Sequence, residues 1–112
     1  MSEPENLLFV CTANRQRSPT AEALFDSHDD YEARSCGVTA VDGTQCNAEL
    51  IEWADVIFCM EGRHRRILED RFPELSTKQV VVLDIRDRYM RGEPQLIKLL
   101  RDRLSEWLET PE

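Results

Sequence analysis

The chain lacks most of the features that mark specialised protein classes. No apolar run approaches the ~18 residues that a membrane span needs. The four cysteines, Cys11, Cys36, Cys46 and Cys59, are not set in the close pairs of a zinc site or a Cys-x-x-Cys redox motif. The two histidines, His28 and His64, stand alone without metal-ligand spacing and read as surface residues. Internal repeats, low-complexity tracts and linkers are absent. The opening residues, Met-Ser-Glu-Pro-Glu-Asn, are acidic, so no secretory or transit leader is expected. Positive charge is also scarce: 14 Lys and Arg stand against 22 Asp and Glu, a net charge of −8. That balance disfavours nucleic acid and anionic membranes as partners. Neither a metal nor a cofactor is expected.

What remains is a chain of 112 residues, 41% hydrophobic and 32% charged, which suits one folded domain spanning 1–112. With no leader expected, the reading is cytoplasmic, with all four cysteines as reduced thiols. Three of them read as small packing groups; Cys11 differs because of where it falls. The charge is also uneven. Residues 1–60 hold 11 acids and three bases, Arg15, Arg17 and Arg34, while residues 61–112 hold 11 of each. Two of those three arginines lie in one short loop.

Hydrophobic patterning predicts strands over 6–11, 31–37, 55–60 and 79–85, each apolar enough to be buried in a parallel sheet. Between them the pattern predicts helices over 18–28, 47–54 and 62–72. Ser18 would cap the first with Pro19 at its first position, and Pro73 would stop the third. A terminal helix opens at Pro94 with Leu96, Ile97, Leu100, Leu104, Trp107 and Leu108 on one stripe. Strand and helix thus alternate four times. The expected fold is α/β, a single small four-stranded parallel sheet with helices on both faces, Rossmann-like.

In such a sheet, ligands bind beyond the carboxyl ends of strands. Cys11 sits at such an end, and the helix opening at Ser18 follows a polar loop. Loop amides and a helix N-terminus make an electropositive cradle for an anion, a setting that suits a nucleophilic cysteine. Arg17 can return across the loop and hold two phosphate oxygens with its planar fork. The Ser18 hydroxyl can donate to the cysteine sulfur and stabilise it as a leaving group. Cys-x5-Arg-Ser between an apolar strand and a helix therefore reads as a phosphate loop, with Thr12, Ala13, Asn14, Arg15, Gln16, Arg17 and Ser18 around the anion.

The segment 8–23, Leu-Phe-Val-Cys-Thr-Ala-Asn-Arg-Gln-Arg-Ser-Pro-Thr-Ala-Glu-Ala, resembles the signature of low-molecular-weight protein tyrosine phosphatases, and more closely a short group of predicted phosphatases of about this length. Arg34-Ser35-Cys36-Gly37 lies where that family has a Ser-Ala-Gly strand end. Met60-Glu61 resembles its Met-Asp, and Asp87-Arg88-Tyr89 lies where it has Asp-Pro-Tyr. The resemblance implies a phosphatase fold, Cys11 as a nucleophile forming a phosphocysteine, and Arg17 as the phosphate clamp. It also implies Asn14 propping the loop through Ser18 and Ser35. An Asn there also tolerates positive φ.

Two features depart from the family. Gln16 replaces a second cysteine able to protect the nucleophile as a disulfide, and the segment 38–52 is short, so a shallow site is expected. For the proton that a leaving oxygen needs, the alignment picks Asp87, with Asp84 as the alternative acid. Arg88 replaces the family proline and Arg86 precedes, so this loop is unusually basic. Tyr89 would line the substrate mouth or else pack against the terminal helix. Arg63, Arg65 and Arg66 read as a solvated helix face, with attraction of an anionic substrate as the second reading.

The expected function is a cysteine-dependent phosphomonoesterase, a protein tyrosine phosphatase acting on a phosphorylated protein or a small aryl phosphate, with phosphate or sulfate able to occupy the loop. A catalytically silent phosphate- or phosphopeptide-binding module is the alternative from a different class. A thiol-dependent arsenate reductase would need resolving cysteines near Cys11. A sugar-transport phosphocarrier would leave Arg17 without a purpose.

Overall fold

The computed structural model describes residues 3–108. In chain order they form β1 (Glu5–Cys11), α1 (Arg17–Leu24), β2 (Tyr31–Gly37), α2 (Ala48–Trp53), β3 (Val56–Cys59), α3 (Gly62–Arg71), a 3-10 turn (Pro73–Thr77), β4 (Gln79–Val82) and α4 (Pro94–Leu104). The four strands make one sheet in the order β2-β1-β3-β4, parallel throughout. The chain leaves β1 toward β2 on one side and crosses back to β3 on the other. The order therefore reverses at β1, and a crevice opens beyond its carboxyl end, where ligands bind in such sheets.

Alternation along β1 sets up the two layers. Leu7, Phe9 and Cys11 face α1 and α4, joining Ala21, Phe25, Leu96, Leu100 and Leu104 in one core. Leu8 and Val10 face the other side, where Ile51 of α2, Leu68 of α3 and Leu75 pack. Phe9 anchors the first core, with its ring 5.8 Å from that of Phe25 and 5.3 Å from that of Phe58. Burying a side chain of that size contributes roughly 2–3 kcal/mol. The α/β architecture and its helices on both faces match the expectation from sequence.

Several local expectations are corrected. The first helix starts at Arg17 with Gln16 as its cap, not at Ser18, and it ends at Leu24 rather than near 28. The last strand stops at Val82 because Asp84 takes a left-handed conformation (φ 57°) that interrupts the pleat. The chain still tracks β3 there: the Leu83 and Ile85 amides donate to the Cys59 and Met60 carbonyls at 2.8 and 2.7 Å. The terminal helix ends at Leu104, so Trp107 loses helical spacing and stands 51% exposed. His64 is fully buried, not on the surface.

The expectation of four reduced thiols is overturned as well: Cys36 and Cys46 form a disulfide. The chain leaves β2 and doubles back. The Gly37 amide donates to the Thr44 carbonyl at 2.8 Å, and the Cys46 amide donates to the Gly37 carbonyl at 3.0 Å. That pairing brings the two Cα atoms to 4.9 Å across a separation of ten residues. Closing so short a loop stabilises the fold by about 3 kcal/mol in the chain-entropy account. Cys11 and Cys59 are free and buried. Among the described residues no helix is long and apolar enough to cross a membrane.

The two ends of the terminal stripe should separate in chemical denaturation. Leu104→Ala removes a fully buried side chain from the first core and should cost about 2–5 kcal/mol. Trp107→Ala should stay within about 0.5 kcal/mol of the parent.

Candidate active site

The residues 12–16 link β1 to α1 and lie against the end of β2, where Cys11 is in register with Gly37. A Cβ on Gly37 would stand 2.6 Å from the Thr12 carbonyl oxygen, 2.7 Å from the Asn14 nitrogen and 2.8 Å from the Ala13 carbonyl carbon. All three are backbone atoms and cannot swing aside, so the loop seats itself on bare backbone. Asn14 then turns the chain through a left-handed conformation (φ 56°). Its Nδ2 donates to Ser18 Oγ at 3.0 Å and to Ser35 Oγ at 2.9 Å, while its Oδ1 accepts from the Thr44 amide at 2.8 Å. Ser35 passes its own proton to Glu22 Oε1 at 2.8 Å.

Ser18 Oγ lies 2.9 Å from Cys11 Sγ, at the inner end of this network. The oxygen accepts from Asn14 and keeps one proton of its own. Its other acceptor, the Cys36 carbonyl, is farther away at 3.4 Å. The hydroxyl is therefore placed to donate to the sulfur, the role a sulfur leaving group requires.

Arg17 is 1% exposed, so its guanidinium must find partners within the fold. Nη1 spends both protons on protein acceptors, Glu61 Oε2 at 2.6 Å and the Ile85 carbonyl at 2.7 Å. Nη2 reaches Thr12 Oγ1 at 3.4 Å, and Nε stands 3.8 Å from Asp87 Oδ1. Nε and the remaining Nη2 proton are thus the donors free to meet an anion. Burial alone would raise the Glu61 carboxyl, but the Arg17 hydrogen bond and the charges of Arg17 and Arg63 hold it below its usual value.

His64 completes this side. Its Nδ1 accepts from the Glu61 amide at 3.0 Å, closing a capping box at the start of α3. The remaining proton therefore sits on Nε2, which lies 2.9 Å from Thr12 Oγ1. Burial, with Arg17 and Arg63 nearby, lowers the His64 pKa to about 4, so the ring is neutral near neutral pH. Arg63 also donates to Thr12 Oγ1 and to Glu61 while remaining exposed, on the solvated face expected for it.

A cavity of about 240 Å³ opens over this floor, lined by Cys11, Ala13, Arg15, Gln16, Arg17 and Asp87. Thr12, Asn14, Ser18 and Ser35 stand behind its wall as supports. Of the two candidate acids only Asp87 shares the cavity with Cys11. Asp84 lines a separate hollow with Arg86, Arg88, Tyr89, Leu99 and Arg103. Tyr89 is half-buried against the first core and is not among the residues lining the Cys11 cavity. A larger hollow of about 580 Å³ carries Glu22, Asp26 and Glu32, charges that repel phosphate.

Sequence reasoning missed the contacts of Glu61, His64, Arg63 and Thr44. Glu61 was within reach: it is an acid just past the strand beside β1, at the edge where the loop lies. His64 sits three residues on, the spacing of a capping box. Nothing local marked Thr44, whose contact with Asn14 depends on how the segment 38–46 folds back.

Comparison with known proteins finds similar chains among the phosphatases. The family model described as low molecular weight phosphotyrosine protein phosphatase matches residues 6–54. A protein-arginine-phosphatase of Geobacillus stearothermophilus is 28% identical, over 96% of this chain and 98% of the relative. The solved arginine phosphatase from Geobacillus stearothermophilus superposes with a TM-score of 0.75 at 29% identity, covering 92% of each chain. A low molecular weight protein tyrosine phosphatase from T. tengcongensis superposes with a TM-score of 0.73 at 27% identity, covering 93% of this chain and 99% of that one.

Two measurements probe the supports. Gly37→Ala should displace the loop and weaken inorganic phosphate binding by more than tenfold in a titration. Unfolded chains protonate a histidine near pH 6.5, whereas folded His64 resists until about 4. Acid therefore favours the unfolded state: stability should fall as pH drops from 6.5 toward 4, by up to about 3 kcal/mol. His64→Gln should flatten that segment of the denaturation profile.

Proposed function

We propose that this relative of the low-molecular-weight phosphotyrosine protein phosphatases acts on aryl phosphate monoesters, phosphotyrosine in proteins above all, through a phosphocysteine at Cys11. The chain is a cysteine-dependent phosphatase, and we take 1–112 to work as one catalytic domain. The observation that carries the residue assignment is the Cys11–Ser18 contact at the floor of a cavity shared by Arg17 and Asp87.

In the proposed sequence the substrate phosphoryl group enters the loop 12–18, with Arg17 Nε and Nη2 on its equatorial oxygens. The Cys11 thiolate attacks phosphorus in line. As the P–O bond breaks, Asp87 gives its proton to the leaving oxygen and becomes a carboxylate. The alcohol departs, leaving phosphocysteine. Asp87 then takes a proton from water, whose oxygen attacks phosphorus. The P–S bond breaks, inorganic phosphate is released, and Ser18 donates to the departing sulfur. Glu61 and the Ile85 carbonyl keep Arg17 aimed throughout, which is where much of the barrier reduction in phosphoryl transfer arises.

At about 240 Å³ the cavity holds a phosphoryl group and little more, so the rest of the substrate lies across the rim. Arg15 stands exposed on that rim, a neighbour that disfavours a cationic leaving group. A second reading comes from the relatives named as arginine phosphatases, in which the phosphoryl group is carried on a guanidinium nitrogen. The positive charge of Arg15 on that rim supports the aryl reading over it. We place the protein in the cytoplasm, with phosphorylated proteins as partners and neither nucleic acid nor membrane among them.

Purified protein should hydrolyse p-nitrophenyl phosphate and phosphotyrosyl peptides faster than phosphoarginine. Cys11→Ser should abolish turnover while retaining phosphate binding. Asp87→Asn should lower kcat about 100-fold or more, whereas Asp84→Asn should change it less than threefold. No turnover of any phosphorylated substrate by the wild type would sink the reading, and turnover of phosphoarginine alone would replace it with the second one.

A further inference from the structure

The disulfide between Cys36 and Cys46 lies next to the phosphate loop, and the path from one to the other can be traced atom by atom. Cys36 is the penultimate residue of β2, and its carbonyl faces Ser18 Oγ at 3.4 Å. Cys46 ends the segment 38–46, whose Thr44 amide holds Asn14 Oδ1. Gly43 of the same segment is packed so closely on Asn14 that a Cβ there would meet Asn14 Oδ1 at 2.8 Å. Asn14 in turn holds Ser18, and Ser18 touches the Cys11 sulfur. The sulfur–sulfur bond thus fixes the segment that fixes the loop.

We propose that Cys36–Cys46 is a redox-responsive modification site that sets the competence of the phosphate loop, a regulation that rests on the phosphatase reading above. The oxidised pair holds 38–46 against Asn14. A dithiol reductant attacks one sulfur, the S–S bond breaks, and a second attack by the same reductant releases two protein thiols as the reductant closes its own disulfide. Two electrons and two protons pass to the protein. An oxidised dithiol reverses the exchange. Once reduced, the segment keeps its backbone bonds to Gly37 but loses its covalent tie, so Asn14 and Ser18 are held less firmly.

Three considerations favour this over an inert staple. In the cytoplasm proposed above, a protein disulfide is rare, and one found there is commonly redox-sensing. Most of the residues between the two cysteines are exposed, Val41 at 88%, and although Cys36, Val38 and Cys46 are buried at the margin of the second core, a local opening of this exposed segment gives a reductant its route to the sulfurs. Cys59, fully buried on the second core face with its thiol pushed up to about 12 by burial, is poorly placed to compete in the exchange.

The test poises the protein in buffers of reduced and oxidised dithiothreitol and follows three readouts. In the Cys11→Ser background, mass spectrometry after alkylation should show two thiols appearing on Cys36 and Cys46 on reduction. Inorganic phosphate affinity, read by NMR titration in the same background, should weaken roughly fivefold, about the factor that one lost neutral hydrogen bond represents. In the wild type, kcat should fall by a similar factor and recover on reoxidation, with the far-UV spectrum unchanged. Cys46→Ala should sit at the reduced level and ignore the buffer. Equal phosphate affinity and equal kcat in both poises overturn the proposal, as does the absence of the disulfide in the oxidised protein. A chain that hydrolyses nothing, yet still changes its phosphate affinity with the buffer, would overturn the phosphatase reading and leave the redox coupling standing.

Discussion

Everything in the site depends on one residue held where residues of its kind rarely sit. Asn14 occupies the left-handed region, and it stays there because three partners from three parts of the chain leave its side chain no alternative: Ser18 on α1, Ser35 on β2 and Thr44 in the segment after β2. An αL residue other than glycine costs on the order of 1–2 kcal/mol. Three hydrogen bonds of about 1 kcal/mol each offset that cost and fix the loop in a single shape. The strain and its compensation lie side by side, at the point where the chain must curl around an anion.

The arginine is held by a different logic. Arg17 is buried, and an unpaired buried guanidinium would be strongly destabilising. Glu61 and the Ile85 carbonyl neutralise and orient it before any ligand arrives. Two neighbouring strand ends supply these acceptors, β3 through Glu61 and the extension of β4 through Ile85. The sheet order therefore decides the chemistry as much as the loop does. Only because β3 lies beside β1, with β4 beyond it, can residues so distant in sequence meet the same guanidinium. His64 and Arg63 then tie the start of α3 to Thr12, so that a helix on one face of the sheet braces a loop leading into a helix on the other.

The legible part of this arrangement was the part written in contiguous residues. The run from Cys11 to Ser18, between an apolar strand and a helix, carried its own chemistry, and the parallel sheet followed from four apolar strands alternating with helices. Asn14 was readable too, since few residues tolerate its backbone. The illegible part lay in return paths. Cys36 and Cys46 are ten residues apart, a spacing without a motif, and only the fold-back at Gly37 brings them together. His64 looked solvated because it stands among arginines. It is buried because the capping geometry at Glu61 turns its ring inward, where the hydropathy of its neighbours has no influence. Asp84 and Asp87 could not be told apart by type or spacing. The left-handed turn at Asp84 separates them, directing the two carboxylates to different hollows.

The shortness of the segment between β2 and α2 leaves the cavity without a tall wall, and this matters for anyone seeking a ligand for it. A volume of about 240 Å³ falls below the 300–1,000 Å³ that usually envelops drug-sized molecules. Little apolar area is on offer, so an inhibitor must draw its affinity from a dianionic warhead and from a salt link to Arg15 at the opening. Such compounds pay heavily in desolvation and cross membranes poorly. A thiol-directed fragment anchored on Cys11, extended outward toward Arg15 and Asp87, is the chemical strategy that this shape rewards.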